Sequence, residues 1–219
     1  MITFDDIRNS AEIRAYMDKG NANLGVLGYT EHGMGHAMKT AVTAADILQR
    51  LGYGERECEL ARIAGYMHDI GNCINRNDHA HLGASMAFPI LRDMGMEPAE
   101  IAVLLAAIGN HDEKTGTAVD PVSAALILAD KTDVRRSRVR AQSPADFDIH
   151  DRVNYAVFNS SVTIDGEAKT ITLDIELDES MSSVLDYFEI FTERMLMCRR
   201  AAQKLGCRFH LTANGGRLL

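Results

Sequence analysis

His36, the adjacent pair His68-Asp69, His81, His111 and Asp130 follow one another along a chain of 219 residues. Neutral imidazole and ionised carboxylate both coordinate divalent metals near neutral pH without a large deprotonation cost. Any one of these histidines taken alone is better read as a hydrogen-bonded structural residue. The ordered series points instead to a metal site built between helices. His79, two residues before His81, is an alternative to it as ligand or substrate contact, with a surface role equally open. His32 stands four residues before His36 and would share its helical face only if Gly33 and Gly35 allowed the helix to extend backwards. Asp112 and Glu113 are candidates for outer partners or a general acid, against an exposed acidic turn as the plainer reading.

The elements that must position these side chains are mostly helical. In residues 35–51, Ala37, Ala41, Ala44, Ala45, Leu48 and Leu51 recur at helical spacing and Gly52 closes the run, so His36 falls in a first turn. A second helix spans 55–69, with Leu60, Ile63, Ala64 and Met67 on one face and His68-Asp69 in its last turn. Adjacent helical residues diverge by about 100 degrees. At a helix end that geometry relaxes, and the pair can address one metal, or the carboxylate can bridge two. A third helix, 81–94, is expected to be bent or broken at Pro89. A fourth starts at Glu97-Pro98 and runs through Ile101, Leu104, Leu105 and Ile108, with His111 after its end. A fifth has Asp120 as N-cap and Pro121 at its first position, and leads to Asp130. If that helix continues, Lys131, Arg135 and Arg138 share one face, where they would meet phosphate at the rim of a pocket. The simpler reading of this basic cluster, which also holds Arg136 and Arg140, is a solvated face balancing an acidic protein.

Beyond about Ser143-Pro144 the pattern changes. Residues 153–164 and 169–177 alternate in strand fashion around the turn signal Asp165-Gly166, a helix fits 182–205, and a short strand fits 207–212. The fold class expected is mainly α: a helical bundle over residues 1–146 with a small C-terminal α+β unit, 147–219, packed on it. The apolar positions of the 182–205 helix serve packing or a homodimer surface.

A composition 46% hydrophobic and 25% charged is that of a folded globular protein. The formal net charge of -8 opposes extended contact with nucleic acid. The first six residues carry neither the basic nor the apolar region of a secretory leader, and no apolar run approaches the roughly 20 residues that span a bilayer. A cytoplasmic location without membrane contact is therefore expected. Cys58, Cys73, Cys198 and Cys207 lack paired spacing, which favours reduced thiols.

With these motifs the chain resembles the HD-domain superfamily of metal-dependent phosphohydrolases. The resemblance rests on His36 in His36-Ala37-Met38-Lys39, on His68-Asp69-Ile70-Gly71 and on Asp130 in Leu128-Ala129-Asp130, and covers about residues 30 to 140. It implies His36, His68, Asp69 and Asp130 as metal ligands, with His68 and Asp69 at the catalytic centre. In members with two metals, histidines in segments like His81-Leu82-Gly83-Ala84 and Asn110-His111-Asp112-Glu113 complete a second site, and Asp69 would bridge the ions. The implied cofactors are two divalent ions, among which Mn, Fe, Mg and Zn are not distinguished. The implied reaction is hydrolysis of a nucleotide or another small phosphate ester by metal-activated water, with Lys131, Arg135 and Arg138 at the substrate's phosphate. Two departures matter. Asn110-His111 replaces the paired histidines of the cyclic-dinucleotide phosphodiesterases, whose downstream glycine-tyrosine-proline signature is also missing, and Asn72 stands where many relatives carry a lysine. Two alternatives remain: the same six ligands hold two irons and activate dioxygen in a few relatives, and a non-catalytic metal or nucleotide sensor would use the C-terminal unit to signal.

Overall fold

The computed structural model describes residues 1–140 and 147–218. Two helices precede the elements read from sequence, α1 (Phe4–Asn9) and α2 (Ala11–Val26). Thr3 and Asp6 close a capping box at the start of α1, and Ser10 caps α2 through the amide of Ile13. Near the end of α2, Asn23 Nδ2 donates to the carbonyls of Asn72 and Cys73, so this helix braces the chain just after His68-Asp69.

The bundle proper comprises α3 (Met34–Arg50), α4 (Glu55–Met67), α5 (His79–Asp93), α6 (Pro98–Gly109) and α7 (Pro121–Lys131). Residues Val122 through Lys131 are all buried, so α7 is the central post, contacted by α3, α4 and α6. That matches its nearly unbroken apolar sequence. The expected starts at Glu97-Pro98 and Asp120-Pro121 are observed, with Asp120 accepting from the amide of Ser123 at 2.7 Å. Helix α5 differs from expectation twice. It begins at His79, and it continues through Pro89 rather than breaking there. Pro89 and Ser85 both lie on the exposed side, where water can satisfy the Ser85 carbonyl that loses its donor.

The C-terminal part contains α8 (Ile149–Ala156), β1 (Val157–Asp165), β2 (Thr170–Leu177), α9 (Val184–Lys204), β3 (Arg208–Ala213) and β4 (Gly216–Arg217). Residues 153–156, expected as strand, belong to α8, because Asp148 caps a helix there and Val153 and Ala156 turn inward at helical spacing. Strands β1 and β2 form an antiparallel hairpin, and β3 pairs parallel to β2 with α9 as the crossover. Ile171, Leu173 and Ile175 of β2 are fully buried. Tyr187, Phe191, Met195 and Cys198 form the buried face of α9, which lies along α7, so one apolar core runs from Phe4 to Ala213. The boundary expected at 146 falls within 141–146, outside the described residues. Among the described residues no helix is long and apolar enough to cross a membrane.

Candidate metal centre

One close approach and three helix ends assemble the site. Gly65 lets α4 meet α3 backbone to backbone, since a Cβ there would stand 2.7 Å from the Ala41 Cα. This brings His36, in the first turn of α3, to His68, the residue that ends α4. Asp69 then opens a 3-10 turn, Ile70–Cys73, and Asp130 arrives from the last turn of α7. His36 Nε2 lies 3.2 Å from His68 Nε2 and 3.2 Å from Asp130 Oδ1. A second group faces it: His79 Nε2 is 3.1 Å from His111 Nε2 and 3.6 Å from Asp69 Oδ1. The other oxygen of Asp69, Oδ2, stands 3.3 Å from His68 Nε2 and 3.9 Å from His36 Nε2, so one carboxylate faces both histidine pairs.

The hydrogen bonds around the site determine what it can hold. His68 Nδ1 donates to the Gly65 carbonyl, His111 Nδ1 to that of Ile108 and His79 Nδ1 to that of Arg76. His36 Nδ1 donates to Asp133 Oδ2 at 2.8 Å. With every Nδ1 acting as donor, each neutral ring turns a lone pair, not a proton, towards its partner at Nε2. Two lone pairs about 3 Å apart repel unless a cation lies between them, and a buried carboxylate oxygen without a donor, as Asp69 Oδ2 is, needs the same. Protonation is another relief, and for His79 the Arg76 guanidinium supplies a third, with Nη1 donating to Nε2 at 3.2 Å. Burial disfavours a charge on His68, but Asp69 and Asp130 outweigh it and raise its pKa, whereas burial and cationic neighbours push His111 well below its ordinary value. Although burial opposes ionisation, Asp69 and Asp130 are held well below the carboxylate range, led by His68 for the first and Lys131 for the second. Ionised oxygens and convergent imidazole lone pairs fit divalent cations, and both His36, His68, Asp130 and His68, Asp69, His111 are grouped closely enough to hold one.

Five of the six expected ligands therefore come together. His81 does not. Its ring is 53% exposed and paired with Asp78, and His79, buried on the opposite side of α5, faces Asp69 and His111 in its stead. Residues two apart on a helix diverge by roughly 200 degrees, so only one of them can point inwards. Asn72, named above as a departure from many relatives, donates to Asp69 Oδ1 at 2.7 Å and holds that carboxylate.

The expected cation face also differs. Helix α7 ends at Lys131, so Lys131, Arg135 and Arg138 do not line up along it. Lys131 is buried, with Nζ 2.7 Å from Asp130 Oδ2 and 3.4 Å from Glu113 Oε1. Arg135 donates to Asp133 Oδ1 and Ser137. Arg138 Nη1 donates to the Asp133 carbonyl, and Lys39 Nζ lies 3.0 Å from Asp133 Oδ1. Arg135 and Arg138 thus gather with Lys39 round Asp133, an aspartate not singled out from the sequence although it lies three residues after Asp130, while Arg136 donates to the Tyr155 carbonyl and Arg140 to that of Tyr29. Glu113 is no exposed turn: burial would raise its pKa, but Lys131 and Arg194 hold it at about 2. Beside the centre opens a cavity of about 440 Å³, walled in part by His32, Arg76, Arg138 and, from the C-terminal helices, His150 and Arg194. Arg76 and Arg194 were not anticipated, and no local motif marks them.

A histidine and aspartate cluster that could hold a metal, set at the ends of bundled helices, marks the class of protein, and the matching family is the HD domain, whose model covers residues 33–146. The chain belongs to the HD domain family. Over 216 residues it is 24% identical to the uncharacterized protein MJ1020 of Methanocaldococcus jannaschii, covering 88% of this chain and 82% of that protein. The crystal structure of a predicted HD superfamily hydrolase from an uncultured Thermotogales bacterium aligns with a TM-score of 0.45 at 25% identity, covering 57% of this chain and 67% of that one.

Proposed function

We propose that this protein is a metal-dependent phosphohydrolase acting on a nucleotide or another small phosphate ester, with two divalent ions. His36, His68, Asp69 and Asp130 would hold one, and Asp69, His79 and His111 the other. The observation that carries the reading is Asp69, whose two oxygens stand within 3.3 and 3.6 Å of the two histidine pairs. Divalent ions at such a centre supply Lewis-acid polarisation of a phosphoryl oxygen and acidify water near it.

The chain's own residues contribute position and charge. Asp133 and the carbonyls of Gly65, Arg76 and Ile108 lock four imidazoles in one tautomer with Nε2 inward. Asn72 fixes one oxygen of Asp69, and Lys131 takes Oδ2 of Asp130 while Oδ1 faces His36. The adjoining cavity, with its guanidinium groups, suits an anionic substrate.

Metal analysis of the purified protein, coupled to a phosphate-ester screen with Mn, Fe, Mg and Zn supplied separately, tests the reading. His68→Ala and Asp69→Ala should each lose bound metal together with hydrolysis. Full hydrolysis by a metal-free double variant would sink it, and turnover that stops without dioxygen would replace it with oxidative chemistry.

A further inference from the structure

Three guanidinium groups share the wall of the 440 Å³ cavity, and each is anchored through some of its nitrogens while at least one terminal nitrogen is left over. Arg138 donates through Nε to the Glu31 carbonyl and through Nη1 to that of Asp133. Arg194 sets Nε 2.7 Å from Glu113 Oε1 and lies over the Phe191 ring at 4.8 Å. Arg76 reaches His79 through Nη1 and lies over the Tyr29 ring at 5.6 Å. Nη2 of Arg76 and of Arg138, and both terminal nitrogens of Arg194, donate no hydrogen bond among the described residues. Two carboxylates, Asp148 and Asp151, also reach this wall, the first of them accepting from the Asp151 amide as the cap of α8, so the three guanidinium groups leave the lining with one net positive charge when its histidines are neutral. Like charges gathered round one cavity repel, and the forks that Arg76 and Arg194 keep idle match the paired oxygens of a phosphate or carboxylate, with Nη2 of Arg138 as a single further donor.

We infer that this cavity binds a second anionic group of the substrate, apart from the phosphate that is cleaved, and that Arg194 is the residue that selects for it. Arg194 lies on α9, outside the segment that matches the HD domain. The C-terminal unit is thereby a substrate wall as well as packing. This inference rests on the phosphohydrolase reading for the position of the first phosphate.

Calorimetric titration of the Mn-loaded full chain with methylphosphonate, which has one anionic group, and with 3-phosphonopropionate, which has two, tests it. The second compound should bind about tenfold tighter, the increment of one charge-assisted fork. In Arg194→Gln the ratio of affinities should fall to near one. Because that change leaves Glu113 short of a partner, Arg194→Lys is read alongside; it keeps a charge beside Glu113 but not the fork, and should lower the ratio about threefold or more. A ratio near one in the wild-type protein, or an unaltered ratio in Arg194→Lys, overturns the inference. If no phosphate ester is hydrolysed yet the ratio behaves as expected, the hydrolase reading falls and the anion site stands. Hydrolysis with a wild-type ratio of one does the reverse.

Discussion

Gly71→Ala is the most direct test of how the second half of the centre is built. Gly71 lies in the 3-10 turn after Asp69, pressed against the start of α5. A Cβ on it would stand 2.1 Å from the His79 carbonyl oxygen and 2.5 Å from the Gly83 nitrogen. Ordinary non-bonded contacts are about 3.5 Å, so the first turn of α5 must retreat by roughly 1 Å or more. His79 moves with it, away from Asp69 Oδ1 at 3.6 Å and His111 Nε2 at 3.1 Å. Metal–ligand distances tolerate only about 0.2 Å, so the His79 and His111 position should lose its ion. On the two-ion proposal, His36, His68 and Asp130 come from α3, the cap of α4 and α7, away from this contact, and the ion they share with Asp69 should stay. Overpacking of this kind costs about 1–3 kcal/mol, which leaves a folded protein to measure. Elemental analysis after loading with Mn should find one ion fewer per chain than in the wild type, with hydrolysis sharply reduced and urea unfolding still cooperative. A folded Gly71→Ala protein with wild-type metal content and affinity would refute the reasoning.

His79→Ala should remove the same ion, whereas His81→Ala should leave metal content unchanged and alter stability by no more than about 1 kcal/mol, since its pair with Asp78 is exposed; equal effects in elemental analysis would contradict the assignment. Asp133→Asn, which weakens the grip on His36 Nδ1, should reduce metal affinity about 10–100-fold with the fold intact, as read by chelator competition. Glu113 gives a pH signature. Its folded pKa of about 2 lies below the ordinary 4.5, so its stabilisation is complete above pH 4.5 and is lost as pH falls towards 2. The difference in unfolding free energy between wild type and Glu113→Gln should be on the order of 3 kcal/mol near pH 6 and shrink steadily on acidification, and a difference independent of pH would argue against it.

Much of the bundle is legible in the sequence because its signals are local. Asp120 and Pro121 start α7, Gly52 closes the turn after α3, and the apolar spacing of 55–67 marks α4 wherever those segments finally pack. The same short-range order puts His36 at a helix start, His68 and Asp69 at a helix end and Asp130 in a last turn, and these meet in the centre. Less accessible was residue 153–156, where strand-like residues were drawn into α8 by the cap at Asp148. His81 was implied by the resemblance with His79 open as its alternative, and the structure turns His79 inward, because rotation about a helix axis, not sequence distance, decides which ring faces the centre.

The local signals of the chain were enough for the five bundle helices α3 to α7, for the long helix α9 and for placing His36, His68, Asp69, His111 and Asp130 at helix ends, since each depends on residues within a few positions of one another. The tertiary structure alone decided the partners. Asp133 reaches His36 across 97 residues, and Arg138 reaches Glu31 across 107. Arg194 meets Glu113 and the cavity only because α9 lies along α7. Such pairings depend on which buried charges packing leaves face to face, and the cost of an unpaired buried charge is paid only once the core has closed.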